Sequence, residues 1–118
     1  MNEDKIRVLK VDPGKAPYVV VLPNTLDALQ AAVGGLIEIV YLGSNLVLIC
    51  NEEGKLMGLP VNRRLGNDII VGTFLIAGVK GYDFCSLSDA DIIYYANCFA
   101  QPLRFFGGPD NPTKWWFS

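Results

Sequence analysis

Between Asn51 and Arg64 the sequence gathers Asn51, Glu52, Glu53, Lys55, Asn62, Arg63 and Arg64 around a Gly58-Leu59-Pro60 kink. Arginine offers a planar fork of donors that fits a phosphate or a carboxylate, and asparagine can read a base edge or a ribose hydroxyl. Irregular backbone carrying these side chains predicts a loop that contacts a phosphate or a nucleotide. Asn51, Asn62, Arg63 and Arg64 are therefore candidate ligand-binding residues. Neighbours in extended chain point to opposite sides, so one arginine is expected to reach the ligand while the other pairs with an acid. The competing reading is a solvated hairpin and connection held by surface ion pairs.

Other groups narrow the chemistry. The chain contains no histidine, which removes Ser-His-Asp and Cys-His nucleophile pairs and histidine metal sites. Glu52 and Glu53 diverge if extended, so they do not jointly hold a metal ion. Asp12-Pro13-Gly14-Lys15 lacks the spacing of a phosphate-binding P-loop, and Gly34-Gly35 follows a helix rather than opening one. Both read as structural turns. The three cysteines, Cys50, Cys85 and Cys98, form no C-x-x-C pair and lie among apolar residues, which predicts buried reduced thiols. Tyr94 and Tyr95 sit about 100° apart on a predicted helix, so Tyr95 is expected in the core and Tyr94 in a groove, where it could stack on a base. No cofactor, metal site or catalytic set is expected, and the chain reads as a non-enzyme.

The elements that must position these groups follow from local signals. A hairpin is predicted from Lys5–Val11 and Tyr18–Leu22, joined by the Pro13-Gly14 turn. In its first strand Ile6, Val8 and Lys10 share one face, and Arg7, Leu9 and Val11 the other. A helix over Leu26–Val33 is capped by Asn24 or Thr25 and stopped by Gly34-Gly35. Strands are expected over Leu36–Leu42 and Leu46–Cys50, then an irregular stretch from Leu56 to Leu65. A long strand from Ile69 to Val79 with a bulge at Gly72 follows, then a short strand over Tyr82–Ser86. A second helix runs from Asp89 to about Ala100, buries Ile92, Tyr95, Ala96 and Phe99, and closes at Pro102. Together these give an α+β fold: a mostly antiparallel sheet of about five or six strands with two helices packed on one side.

At 118 residues, 51% of them hydrophobic, the chain is one domain with enough apolar content to fold alone. We divide it into a compact part, 1–101, and an aromatic C-terminal extension, 102–118. Ten basic against twelve acidic residues leave a net charge of -2, which argues against a duplex nucleic-acid partner. No signal peptide and no apolar run of the ~18–20 residues that span a bilayer is visible, so the expected location is the cytoplasm, without a membrane partner. Trp115, Trp116 and Phe117 would expose a large apolar patch on a free tail. Either they pack back on their own sheet, or they meet a second subunit or a ligand; they are the candidate interface of a homo-oligomer.

Several segments carry a resemblance. Asn24-Thr25-Leu26-Asp27-Ala28-Leu29-Gln30 with Val33-Gly34-Gly35-Leu36-Ile37-Glu38 is one. Asn51-Glu52-Glu53-Gly54-Lys55 with Gly58-Leu59-Pro60 and Asn62-Arg63 is another, and Gly72-Thr73-Phe74 and Ser86-Leu87-Ser88-Asp89 extend it. As a set they resemble an uncharacterised small-domain family, a domain of unknown function, of phages, plasmids and Gram-positive bacteria. The resemblance spans about residues 5 to 100 and implies a mobile-element context without bringing catalytic residues. Context and residues together lead to an expected function. A phage-type anti-defence protein would bind a host immune nucleotide signal, a cyclic dinucleotide or ADP-ribose derivative, and sequester it uncleaved in the host cytoplasm. The alternatives are a module that blocks a host protein by direct contact and a phosphodiesterase that degrades such a signal.

Overall fold

A computed structural model describes residues 4–105 and 115–117. The chain begins with an antiparallel hairpin of β1 (Lys5–Val11) and β2 (Tyr18–Pro23), turned at Asp12–Lys15 where Gly14 takes a positive φ of 73°. Helix α1 (Leu26–Val33) follows. Thr25 caps it by accepting the Ala28 N–H at 3.1 Å. Gly34, at φ 82°, ends it, and the N–H groups of Gly34 and Gly35 both donate to the Gln30 carbonyl.

Strands β3 (Ile37–Tyr41), β4 (Leu46–Asn51), β7 (Phe74–Lys80) and β8 (Asp83–Cys85) complete the central sheet. Its order is β2-β1-β7-β4-β3, with β8 on β7, and every pairing is antiparallel. Between β4 and β7 the chain leaves the sheet and forms a separate hairpin of β5 (Val61–Leu65) and β6 (Asp68–Val71). Helix α2 (Asp89–Cys98) is capped by Ser88, whose hydroxyl accepts the Asp91 N–H at 3.1 Å. The last pairing joins β9 (Leu103–Phe105) to β10 (Trp115–Phe117), with Trp116 opposite Arg104.

The α+β class and the antiparallel sheet stand as expected, but the helices do not share a side. In β4, Val47 and Ile49 lie with Ile6, Val8, Leu75 and Ala77 beneath Leu29 and Val33 of α1. Leu48 and Cys50 point the other way, joining Leu9, Val11, Phe74 and Ile76 beneath Phe99 and the inner side of α2. Leu-Val-Leu-Ile-Cys in β4 and Phe-Leu-Ile-Ala in β7 are unbroken apolar runs. A strand of that kind is buried on both faces and demands cover on both. Each fully buried Leu, Ile or Phe stabilises the fold by roughly 1.5–3 kcal/mol, so neither face could be left to water.

Two further expectations are corrected. The stretch Leu56–Leu65 is not irregular throughout, because its second half is β5. The long strand from Ile69 to Val79 is two strands, split where Gly72 adopts φ 74° and donates its N–H to the Pro60 carbonyl at 2.7 Å. A Cβ at Gly72 would lie 2.7 Å from Leu59 Cδ1, so the break requires glycine on both counts. The thiols also differ from expectation: Cys50 is buried, Cys85 is half-buried and Cys98 is exposed. Cys98 lies in the last turn of α2 on the side away from the sheet. None of the three is in a disulfide.

Candidate ligand cleft

The hairpin β5–β6 leans over β3 and β4 on the same face of the sheet as α2, beside the part that the helix covers. A cavity of about 490 Å³ lies between them. Its sheet side is Val40, Leu48 and Cys50, and its hairpin side is Leu65, Ile69 and Ile70. The loop after β4 closes one end with Glu52, Lys55 and Leu56, the last of these 88% exposed at the lip.

The polar lining is mostly acidic. Glu38, Glu52 and Asp68 line the cavity together with a single cation, Lys55. Lys55 Nζ donates to Asp68 Oδ1 at 2.6 Å. That ion pair, helped by the Ile69 N–H, holds the Asp68 carboxyl below its usual range. Among the described residues neither Glu38 nor Glu52 has a basic partner within ion-pair distance; the lysine of the lining is taken by Asp68. Burial, and then the neighbouring Glu38 carboxylate, push the Cys50 thiol up to about 11. It stays protonated at neutral pH and is no nucleophile.

Of the residues singled out in the sequence, the structure brings Asn51 to this cleft, and there it is a brace. Its side-chain amide donates to the Val33 carbonyl at 3.2 Å and accepts the Glu53 N–H at 2.8 Å, tying the end of α1 to the loop that closes the cavity. Asn62 is fully buried and donates to the carbonyls of Val11 and Gly72, both at 2.8 Å. Arg63 is only 1% exposed. Its Nε donates to the Phe99 carbonyl at 2.7 Å, one terminal nitrogen to the Asn62 side chain at 2.7 Å, and the other to the Lys15 carbonyl. Phe99 ends α2, so the guanidinium sits on the negative end of the helix dipole. Burial pulls its pKa down.

Arg64 is exposed and donates to the Gly66 carbonyl at 3.2 Å. Neither arginine has the acidic partner expected for one of the two among the described residues. Tyr94, 61% exposed, lies on α2 with its ring edge-on to Tyr95 at 5.0 Å and is not part of the cleft lining. Trp115, Trp116 and Phe117 form β10, and their side chains lie outside the described structure, as does the packing of residues 106–114.

The sequence reading missed Glu38, Leu48, Cys50, Leu65 and Asp68 as cleft residues. One signal was available. Glu38 is the lone charge in Leu36–Leu42, an otherwise uninterrupted run of apolar residues. A carboxylate in such a strand marks a face that reaches water.

Fold and cleft together define a small α+β domain whose two-sided sheet carries a helix on each face and a ligand-sized cavity under a hairpin. Residues 6–100 match the family model for a domain of unknown function, DUF3846, and the chain belongs to that family. No curated protein and no solved structure matches it.

Proposed function

We propose that this domain is a non-catalytic binding module that holds a small ligand in the cleft between the central sheet and the β5–β6 hairpin. The observation that carries this reading is the cavity itself, about 490 Å³ with an apolar floor and the unpaired carboxylates of Glu38 and Glu52 in its lining. Small-molecule sites are typically concave, mostly apolar and furnished with few polar groups, in this range of volume. Carboxylates accept hydrogen bonds from ribose hydroxyls and from the exocyclic amines of bases. Three carboxylates against one lysine oppose a phosphate at depth.

Sequestration of a host nucleotide signal, by a protein of phage or mobile-element type, therefore takes a particular form. The base and ribose enter the cleft, and the phosphates stay in solvent at its mouth. Lys55, in the loop after β4, is the cation nearest to them, with exposed Arg64 on the β5–β6 hairpin. The ligand is released unchanged. The test is to heat the purified protein and analyse the released compounds by mass spectrometry, alongside titration with a panel of cyclic dinucleotides and ADP-ribose derivatives. Recovery of an intact nucleotide supports the reading, and silence across the panel contradicts it. Breakdown products after incubation with a divalent metal point to a phosphodiesterase instead. Blocking of a host protein is the second reading, favoured by the exposed Ile93 and Tyr94 on the outer face of α2.

A further inference from the structure

Strand β2 is one edge of the central sheet, and among the described residues nothing pairs with its outer side. Its sequence, Tyr-Val-Val-Val-Leu-Pro, contains no charge. Sheet edges are normally blunted with lysine, inward charges or bulges, because an open row of donors and acceptors templates further pairing. The opposite edge, β3, carries Glu38 at its second position. In β2 the protection is confined to its ends, at Pro17 and Pro23, while Val19 is 45% and Val21 61% exposed.

The register identifies which backbone groups are open. The Asn24 N–H donates to the Asp4 carbonyl at 2.9 Å, extending the β1–β2 ladder one pair beyond Lys5 and Pro23. In an antiparallel ladder hydrogen-bonded pairs alternate with non-bonded ones. Leu22, Val20 and Tyr18 therefore exchange bonds with Ile6, Val8 and Lys10, while Val19 and Val21 aim N–H and C=O away from β1. Pro23, which has no N–H, falls on the same outward set.

We propose that β2 is the homodimer interface of this protein, pairing antiparallel with β2 of a second copy across a two-fold axis. The outward groups must meet outward groups. The register that overlaps five of the six residues, Tyr18 to Leu22, sets Val19 opposite Val21 of the other copy, Val21 opposite Val19, and Val20 opposite Val20. Every hydrogen-bonded pair inside that overlap has both donors present, whereas a slip of two residues would place Pro23 opposite Val19. Side chains agree with the backbone. Val19 and Val21 lie on the face of Leu9, and Tyr18, Val20 and Leu22 on the α1 face, so apolar residues meet on both sides of the joint. The net charge of -2 per chain opposes the union only weakly.

Sedimentation velocity on the full chain at high micromolar concentration is expected to give a dimer. Val21→Lys places a charge at an exposed position of the joint and is expected to weaken the dimer at least about tenfold with an unchanged circular dichroism spectrum. Should that variant fold poorly, a cysteine pair reads the register directly. Val20 faces its own copy at a non-hydrogen-bonded site, where Cα atoms lie about 4.5 Å apart, within disulfide reach. In a Cys98→Ser background, Val20→Cys is expected to form a covalent dimer on mild oxidation, and Val21→Cys is not. A monomeric wild type, a Val21→Lys chain that remains a full dimer, or crosslinking at position 21 but not 20 overturns the proposal.

Discussion

Replacing Arg63 by methionine removes a guanidinium but keeps an aliphatic stem. The Phe99 carbonyl and the Asn62 side chain then lose their donors in a buried setting, and the Lys15 carbonyl loses its donor in a part-buried one. Each orphaned group costs about 1–3 kcal/mol, so the loss is expected to reach on the order of 3 kcal/mol or more, read as a fall in denaturation midpoint. Arg64→Ala removes an exposed side chain and should stay within about 0.5 kcal/mol of wild type. Equal effects from the two would contradict the burial assigned to Arg63. A second residue-scale expectation concerns Asp12, whose carboxylate accepts the hydroxyls of Tyr18 and Thr73, both at 2.7 Å. Partial burial alone would raise the Asp12 pKa. The two hydrogen bonds, with Lys10 and Lys15 nearby, outweigh that and lower it. The same bond raises the Tyr18 pKa. A lowered acid stabilises the folded state above its unfolded pKa, near 4, and loses that contribution as pH falls through its folded value. A raised phenol contributes below its unfolded pKa, near 10, and loses that contribution as pH rises. Stability is thus expected to be flat between these limits and to fall on both sides. Asp12→Asn should shallow both slopes in a pH series of thermal melts.

At the scale of elements, the β5–β6 hairpin makes the cleft, and Gly72 sets where the hairpin ends. Gly72→Ala meets both a positive φ and a clash with Leu59. It is expected to cost at least about 1 kcal/mol and to change the cleft, because Val71 next to it is in the lining. Hydrogen exchange should show β5 and β6 losing protection before β4 and β7. Local chemistry made much of the fold legible. The Thr25 cap and Gly34 stop bound α1 at the residues where the sequence places it, and Pro13-Gly14 marks the first turn. Long-range choices were less visible. Nothing local in Val61–Leu65 announces a strand, since its pairing partner supplies the reason. The double-sided cover of the sheet was written in β4 and β7, whose continuous apolar runs exceed what one face can bury. The candidate site was the least legible part. Arginine and asparagine serve a ligand or a buried brace equally well by type, and only the carbonyls of Val11, Lys15, Gly72 and Phe99 decide for the brace. Those carbonyls are between 10 and 51 residues away from their donors and have no sequence signature.

For the whole molecule, assembly and ligand binding belong to different places. The dimer joint is assigned to β2, so deleting Thr113 to Ser118 is expected to leave the sedimentation coefficient that of a dimer. A truncated chain that becomes monomeric assigns the contact to Trp115, Trp116 and Phe117 instead, as their composition suggests. Among the described residues no helix is long and apolar enough to cross a membrane. The cleft lies on the α2 side of the sheet near β3, and β2 is the opposite edge, so Val21→Lys should not alter what the protein binds. Val40, half-buried in the lining, offers a way to close the cavity without touching the buried braces. The decisive measurement compares, by mass spectrometry, the compounds released on heating wild type and Val40→Phe, purified in parallel and matched by circular dichroism. A nucleotide recovered intact from wild type and absent from Val40→Phe is the expected result. Equal recovery from both proteins, or no nucleotide from either, would contradict a ligand held between the sheet and the β5–β6 hairpin.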